Sequence, residues 1–192
     1  TIIRGQKMIK KGLKLNNNQK GLTLIESLVV VGILLGIVAV ALTLYGTVRD
    51  RLNVKNESEN ASVIYSQLVD LYSDEPTGTL TAIGQAVDSG IIPKKMSITG
   101  TSPSKVVTDS WGGKVTLKGV GTTGFELTFP RVPSMEVCVN FVKNQKKVGW
   151  DEFTVGTSKV VYSASTNASI TTACKKAGAS DYVSVMFART DI

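Results

Sequence analysis

The stretch KGLTLIESLVVVGILLGIVAVALTLYG, residues 20–46, decides the architecture of this chain. Between Glu26 and Arg49 lie 22 consecutive uncharged residues, most of them apolar. At helical rise the run covers about 33 Å, enough for the hydrocarbon core of a bilayer. One acid, Glu26, stands near its beginning. A carboxylate in lipid costs on the order of 2–3 kcal/mol when central, even on lenient scales, and intramembrane acids usually have a partner. A basic tract ending in Lys20-Gly21 comes directly before the run.

Charge outside the run follows the same division. The chain has 192 residues with 22 Lys and Arg against 15 Asp and Glu. Arg4, Lys7, Lys10, Lys11, Lys14 and Lys20 all fall in the first 21 residues, which hold no acid. The remainder is nearly neutral, so its charge makes no case for nucleic acid. The basic tract reads as a topology signal: positive residues stay cytoplasmic, and the C-terminal part is exported. That part is long enough for one compact domain. Its two cysteines, Cys138 and Cys174, are most simply a disulfide in an exported domain, with two free buried thiols as the alternative. A bridge would close a loop of 35 intervening residues and contribute about 3–4 kcal/mol on the loop-entropy model. Zinc is excluded as a serious reading, because two cysteines stand alone in a chain without histidine.

A secretory signal has a short apolar core followed by a small-residue cleavage site. Here the run is too long, and RDRLNVKNESEN follows it. A plain signal-anchor leaves Glu26 unexplained. Gly21-Leu22-Thr23-Leu24-Ile25-Glu26-Ser27 and the apolar run resemble the processing site of type IV pilins. The resemblance implies cutting between Gly21 and Leu22 by a membrane peptidase acting at the cytoplasmic face, then N-methylation of Leu22. Glu26 becomes the fifth residue of the mature chain. In a helical filament its carboxylate would meet the new ammonium of a neighbouring subunit, two charges that are costly alone and attract strongly together in low dielectric. Gly32 and Gly36 form a Gly-xxx-Gly pair that lets membrane helices approach closely, although glycine is common in such helices. Thr43 stands where the type IVa subclass usually has a proline. With the 21-residue leader and the Leu at the processed end, this points to the type IVb subclass.

Beyond the membrane run, Ala61, Ile64, Leu68 and Leu71 recur at helical steps, while 56–60 reads as polar on all sides. One helix is expected over about 22–72, ending before Pro76. A loop region over 73–110 contains a short helix pattern at Leu80, Ile83 and Val87. Strand signals follow at 114–118, 125–129, 159–163 and 182–188, with a helix over 135–142 carrying Cys138. The fold class is therefore α+β: a long N-terminal helix packed on an antiparallel sheet, with one disulfide in a pilin-like head. Residues 139–173 are rich in Ser, Thr, Asn and Gly, and the sequence suggests few apolar anchors there beyond the staple. The resemblance implies that this disulfide-bounded region is surface-exposed and makes contacts. Asp109-Ser110-Trp111-Gly112-Gly113 resembles the family's turn into its first strand.

Several motifs look like chemistry. Gly119-Val-Gly121-Thr-Thr-Gly124 matches G-x-G-x-x-G, but a strand signal follows it where a dinucleotide site needs a helix. Ser102-Pro-Ser-Lys105 matches S-x-x-K without its partner motifs. Asp70, Asp74 and Glu75 lack calcium-loop spacing and read as a solvated helix end. Asn56, Asn60 and Asn167 begin N-x-[ST] triplets, which mean little in bacterial-type export. Trp111 reads as a packing residue, and Trp150 as a packing anchor with an exposed contact as the alternative.

The sequence thus divides into a basic leader (1–21), the membrane-spanning half of a long helix (22–48) and an exported head (49–192). The expected function is a structural one and not enzymatic: the major subunit of a type IV pilus serving adhesion, aggregation or mating contact. It needs no cofactor. Its expected partners are further copies of itself, the prepilin peptidase, the inner-membrane assembly machinery and the membrane. It would sit in the inner membrane, N-terminus inside, before assembly and at the cell surface afterwards. A secretion-system pseudopilin and a membrane-anchored binding module that never polymerises are the alternatives.

Overall fold

A computed structural model describes residues 23–73, 76–133, 135–176 and 181–190. The chain divides into two units, 1–44 and 45–192. Helix α1, Leu24–Leu71, supplies the described part of the first unit and the spine of the second.

In the second unit α1 buries Val54, Ala61, Ile64 and Leu68. These positions fall on one stripe at three- and four-residue steps, which is why the helix can lie along a sheet. Leu71 lies outside the stripe and is exposed. The stretch 56–60 departs from the sequence reading. Glu57, Ser58 and Asn60 are buried, so this turn of the helix faces inward with polar side chains.

The sheet has seven strands: β1 (Ser97–Thr99), β2 (Val106–Thr108), β3 (Lys114–Val120), β4 (Gly124–Pro133), β5 (Glu152–Val155), β6 (Ser158–Val161) and β7 (Tyr182–Arg189). Their order is β1-β2-β3-β4-β7-β5-β6, and every pair is antiparallel. Registers align Leu117, Leu127, Phe187, Phe153 and Val160 in one row across five strands. The first four of these are buried in the core that also holds Ile64 and Leu68. The adjacent row runs Lys118, Glu126, Ala188, Glu152 and Val161. It carries the ion pair Lys118–Glu126 (2.9 Å), and its Glu152 pairs with Lys159, two residues before Val161 on β6 (2.7 Å). One face apolar and one face charged is the period-2 pattern of a half-buried sheet.

Four of these strands match sequence signals; β1, β2 and β5 do not. The first two lie in what reads as loop, because three residues each carry too short an alternation to register. Helix α2 spans Ile83–Asp88, α3 Glu136–Gln145 and α4 Asn167–Lys176. The signal at 159–163 is a strand only to Val161; Tyr162–Ala164 is a 3-10 turn.

The expectation of few apolar anchors within 139–173 is overturned. Phe141, Val142, Trp150, Phe153, Val155, Tyr162 and Ile170 are all buried there. Trp150 donates its indole N–H to Gln145 Oε1 at 2.9 Å and packs edge-on against Tyr65 of α1, ring centroids 4.8 Å apart. Burial also pushes the Tyr162 phenol well above its ordinary range, and its hydroxyl donates to Val142 O at 3.0 Å.

Residues 119–124 form the β3–β4 hairpin, with Val120 opposite Gly124. Gly119 has a separate reason to be glycine: a Cβ there would stand 1.7 Å from Thr77 O. Its N–H donates to Leu80 O at 2.7 Å, seating the Thr77–Thr79 3-10 turn on β3. Ser102 and Lys105 of the S-x-x-K motif both bond the Asp88 carboxylate, and the Lys105 amine holds Asp88 below the usual carboxylate range.

Candidate functional sites: the apolar helix and the polar joint of the head

In the first unit every described residue from Leu24 to Leu44 is exposed. Leu24 and Ile25 are 82% and 76% accessible, and they begin a contiguous exposed apolar surface of the kind that marks a membrane or partner contact. By length and composition α1 can cross a membrane. A methyl added at Gly32 or Gly36 would meet nothing within 4 Å, so both leave a bare strip of backbone on the helix. Thr43 donates to Val40 O at 2.8 Å and the helix continues through it.

Gly21 and Leu22 lie outside the described residues. Thr23 opens the helix: its Oγ1 accepts the Glu26 N–H at 3.4 Å, and its carbonyl accepts the Ser27 hydroxyl at 3.0 Å. Thr-x-x-Glu is capping-box spacing, and an acid in a first turn also suits the positive end of the helix dipole. The first-turn position and the T-x-x-E spacing suit a local role for Glu26 at the helix start, which the reading of it as the partner of a neighbouring ammonium did not consider.

In the head, the inward polar turn of α1 meets the 109–113 turn. Glu57, 2% exposed, accepts the Ser110 N–H on Oε1 at 2.8 Å and the Ser110 hydroxyl on the same oxygen. Its Oε2 accepts the Asn60 amide at 3.1 Å. Asp109, 5% exposed, accepts the N–H groups of Trp111 (2.9 Å) and Gly113 (2.7 Å) on Oδ1. Gly113 admits no side chain, since a Cβ would lie 2.6 Å from Asp109 Oδ2, and Gly112 has φ +78°. The two glycines thus let the turn close around the carboxylate. Trp111 packs edge-on against Phe141 of α3, ring centroids 5.4 Å apart. One residue further along α1, Ser58 O accepts the Gln145 side-chain amide at 2.9 Å. This joint therefore ties the spine to the strand entrance and to α3. Sequence reasoning found the Asp-Ser-Trp-Gly-Gly turn but not Glu57, Ser58 or Asn60. Burial of polar residues leaves no periodic signal, because the polar turn interrupts the apolar stripe instead of extending it.

Burial pushes the Asp109 carboxyl up to about 6, helped by the Glu57 charge. The bonds from Gly113 and Trp111 and the Arg131 guanidinium oppose the rise. Asp109 Oδ2 and Asn60 Oδ1 are buried without a hydrogen-bond donor.

Cys138 of α3 and Cys174 of α4 form a disulfide, Cα atoms 5.9 Å apart. Both are buried, so the bridge is a structural staple between the two helices. Asp70 is exposed, Asp74 and Glu75 lie outside the described residues, and no group of three metal-binding side chains occurs among the described residues.

A family model described as PilS N-terminal matches residues 51–188. No curated protein sequence matches the chain. The crystal structure of a type IVb pilin from Salmonella typhi superposes with a TM-score of 0.57 at 17% identity, covering 69% of this chain and 97% of that one.

Proposed function

Because the chain belongs to the PilS N-terminal family and has the fold of a type IVb pilin, we propose that it polymerises into a pilus through its apolar helix. It is a structural subunit and not an enzyme. The observation that carries the proposal is the bare apolar surface over Leu24–Leu44 joined to a pilin head. Such a surface is satisfied by lipid before assembly and by copies of itself afterwards. A leader peptidase cuts between Gly21 and Leu22 and Leu22 is N-methylated. The inner-membrane machinery then moves the subunit into a filament at the cell surface, where it serves adhesion, aggregation or mating contact. Gly32 and Gly36 let neighbouring helices approach, and Glu26 pairs with the ammonium of the adjoining subunit's Leu22. In this order the leader (1–21), membrane half (22–48) and head (49–192) act in turn.

The first-turn position of Glu26, at capping-box spacing from Thr23, favours a second role for it, that of closing the helix start. Two substitutions separate them. Glu26→Gln keeps a capping-box side chain and removes the charge. Ion pairing predicts that it inserts in the membrane but yields few filaments by electron microscopy, as does Glu26→Ala. Normal filament yield from Glu26→Gln would leave capping as the whole of its role.

A further inference from the structure

The joint between α1 and the 109–113 turn contains an imbalance that the pilin reading does not use. Two buried carboxylates, Glu57 and Asp109, meet there, and neither has a Lys or Arg nitrogen within 4 Å among the described residues. Two acceptors, Asp109 Oδ2 and Asn60 Oδ1, are buried without a donor. Both residues line a cavity of about 240 Å³ together with Glu57, Thr108 and Ser110. Buried charges are costly unless paired. A proton on Asp109 Oδ2 removes one of the two charges and turns one of the two orphaned acceptors into a donor. The Trp111 indole N–H in the same turn is buried without a partner as well.

We propose that Asp109 holds a proton on Oδ2 in the folded head in mildly acidic surroundings, and that losing it toward neutrality loosens the clamp between the 109–113 turn and α1. The charged groups around Asp109 come from each neighbouring element. Glu57 of α1 opposes its ionisation, and Arg131 of β4 favours it. The Arg131 guanidinium is already stacked on the Tyr182 ring, 4.5 Å from its centroid. Lys95 lines the cavity, but its amine is 2.9 Å from Glu59. Lys114, at the start of β3, is exposed. When Asp109 ionises, two negative charges line one cavity, both on largely buried side chains. The ties at risk are those of Ser110 to Glu57 and of Trp111 to Phe141, which connect the spine to the disulfide-bridged helices.

The sign is the reverse of an ion-paired aspartate. The folded-state value of about 6 lies above the ordinary 3.8, so the stabilisation is present in acid and is lost as pH rises through about 6. Between about pH 5 and about pH 7.5 this one group lowers the folding equilibrium constant about tenfold.

The test is urea unfolding of the full chain in detergent across that range, read by tryptophan fluorescence. Wild type should lose about tenfold in stability relative to Asp109→Asn, which keeps an acceptor for the turn and cannot ionise. Glu57→Gln removes the like charge, so its loss should be smaller and should be complete at lower pH than in wild type. Infrared difference spectra should show a protonated-carboxyl band that titrates near pH 6 in wild type and is missing in Asp109→Asn. If Asp109→Asn does not fold, the band and the Glu57→Gln shift decide. Parallel pH profiles for wild type and both variants, or no such band, would overturn the proposal.

Discussion

Replacing Glu57 with alanine should cost the head about 2–4 kcal/mol, whereas Glu57→Gln should fall within about 0.5 kcal/mol of wild type. The difference follows from the bonds around that carboxylate. Alanine strands the Asn60 amide N–H in a buried place, at about 1–3 kcal/mol. It also removes two charge-assisted bonds from Ser110. Ser110 is exposed and water can replace them in part, so their loss adds only about 1 kcal/mol. Glutamine keeps Oε1 for Ser110. Its new N–H₂ would face the Asn60 amide, but Asn60 can turn over and present the oxygen that now has no donor. The neutral side chain also relieves a buried charge without a cation. Trp111 and Trp150 both belong to the head, so fluorescence in a urea series reports the head and not the membrane half. The midpoint should fall for Glu57→Ala at constant slope. An alanine variant as stable as wild type, or a glutamine variant as damaged as alanine, would refute this account of the joint.

Reducing the Cys138–Cys174 bridge, or Cys174→Ser, should cost about 2–5 kcal/mol and raise protease sensitivity within 139–173. Because β5 and β6 also anchor that segment in the sheet, the reduced head should still melt cooperatively. A non-cooperative melt would show that the staple alone orders it. Gly119→Ala must displace the Thr77–Thr79 turn and break the Gly119–Leu80 bond, a loss of at least about 3 kcal/mol. An unchanged melting temperature would contradict the close approach to Thr77.

Legibility of the sequence divided along physical lines. The apolar run, the basic leader and the stripe through Ala61, Ile64 and Leu68 are strong periodic or compositional signals, and they fixed the helix and the class of fold. The long strands β3, β4 and β7 alternate over enough residues to be seen. Strands β1, β2 and β5 are three or four residues long and are ordered by their neighbours. Phe153 and Val155 read as stray apolar residues in a polar segment until Phe187 and Val185 of β7 lie beside them. The polar joint was least legible. Glu57 and Asp109 are 52 positions apart, and no local rule says that a hydrophilic turn of a helix faces inward. At the N-terminus the reverse holds: the motif at Gly21–Glu26 is legible in the sequence alone, and the processing proposed there rests on it.

That processing is tested most directly by the mass of the mature N-terminus in protein sheared from the surface of cells that make it. The account predicts filaments whose subunits begin at Leu22 and carry one added methyl group. Unassembled protein that still retains residues 1–21 would contradict it.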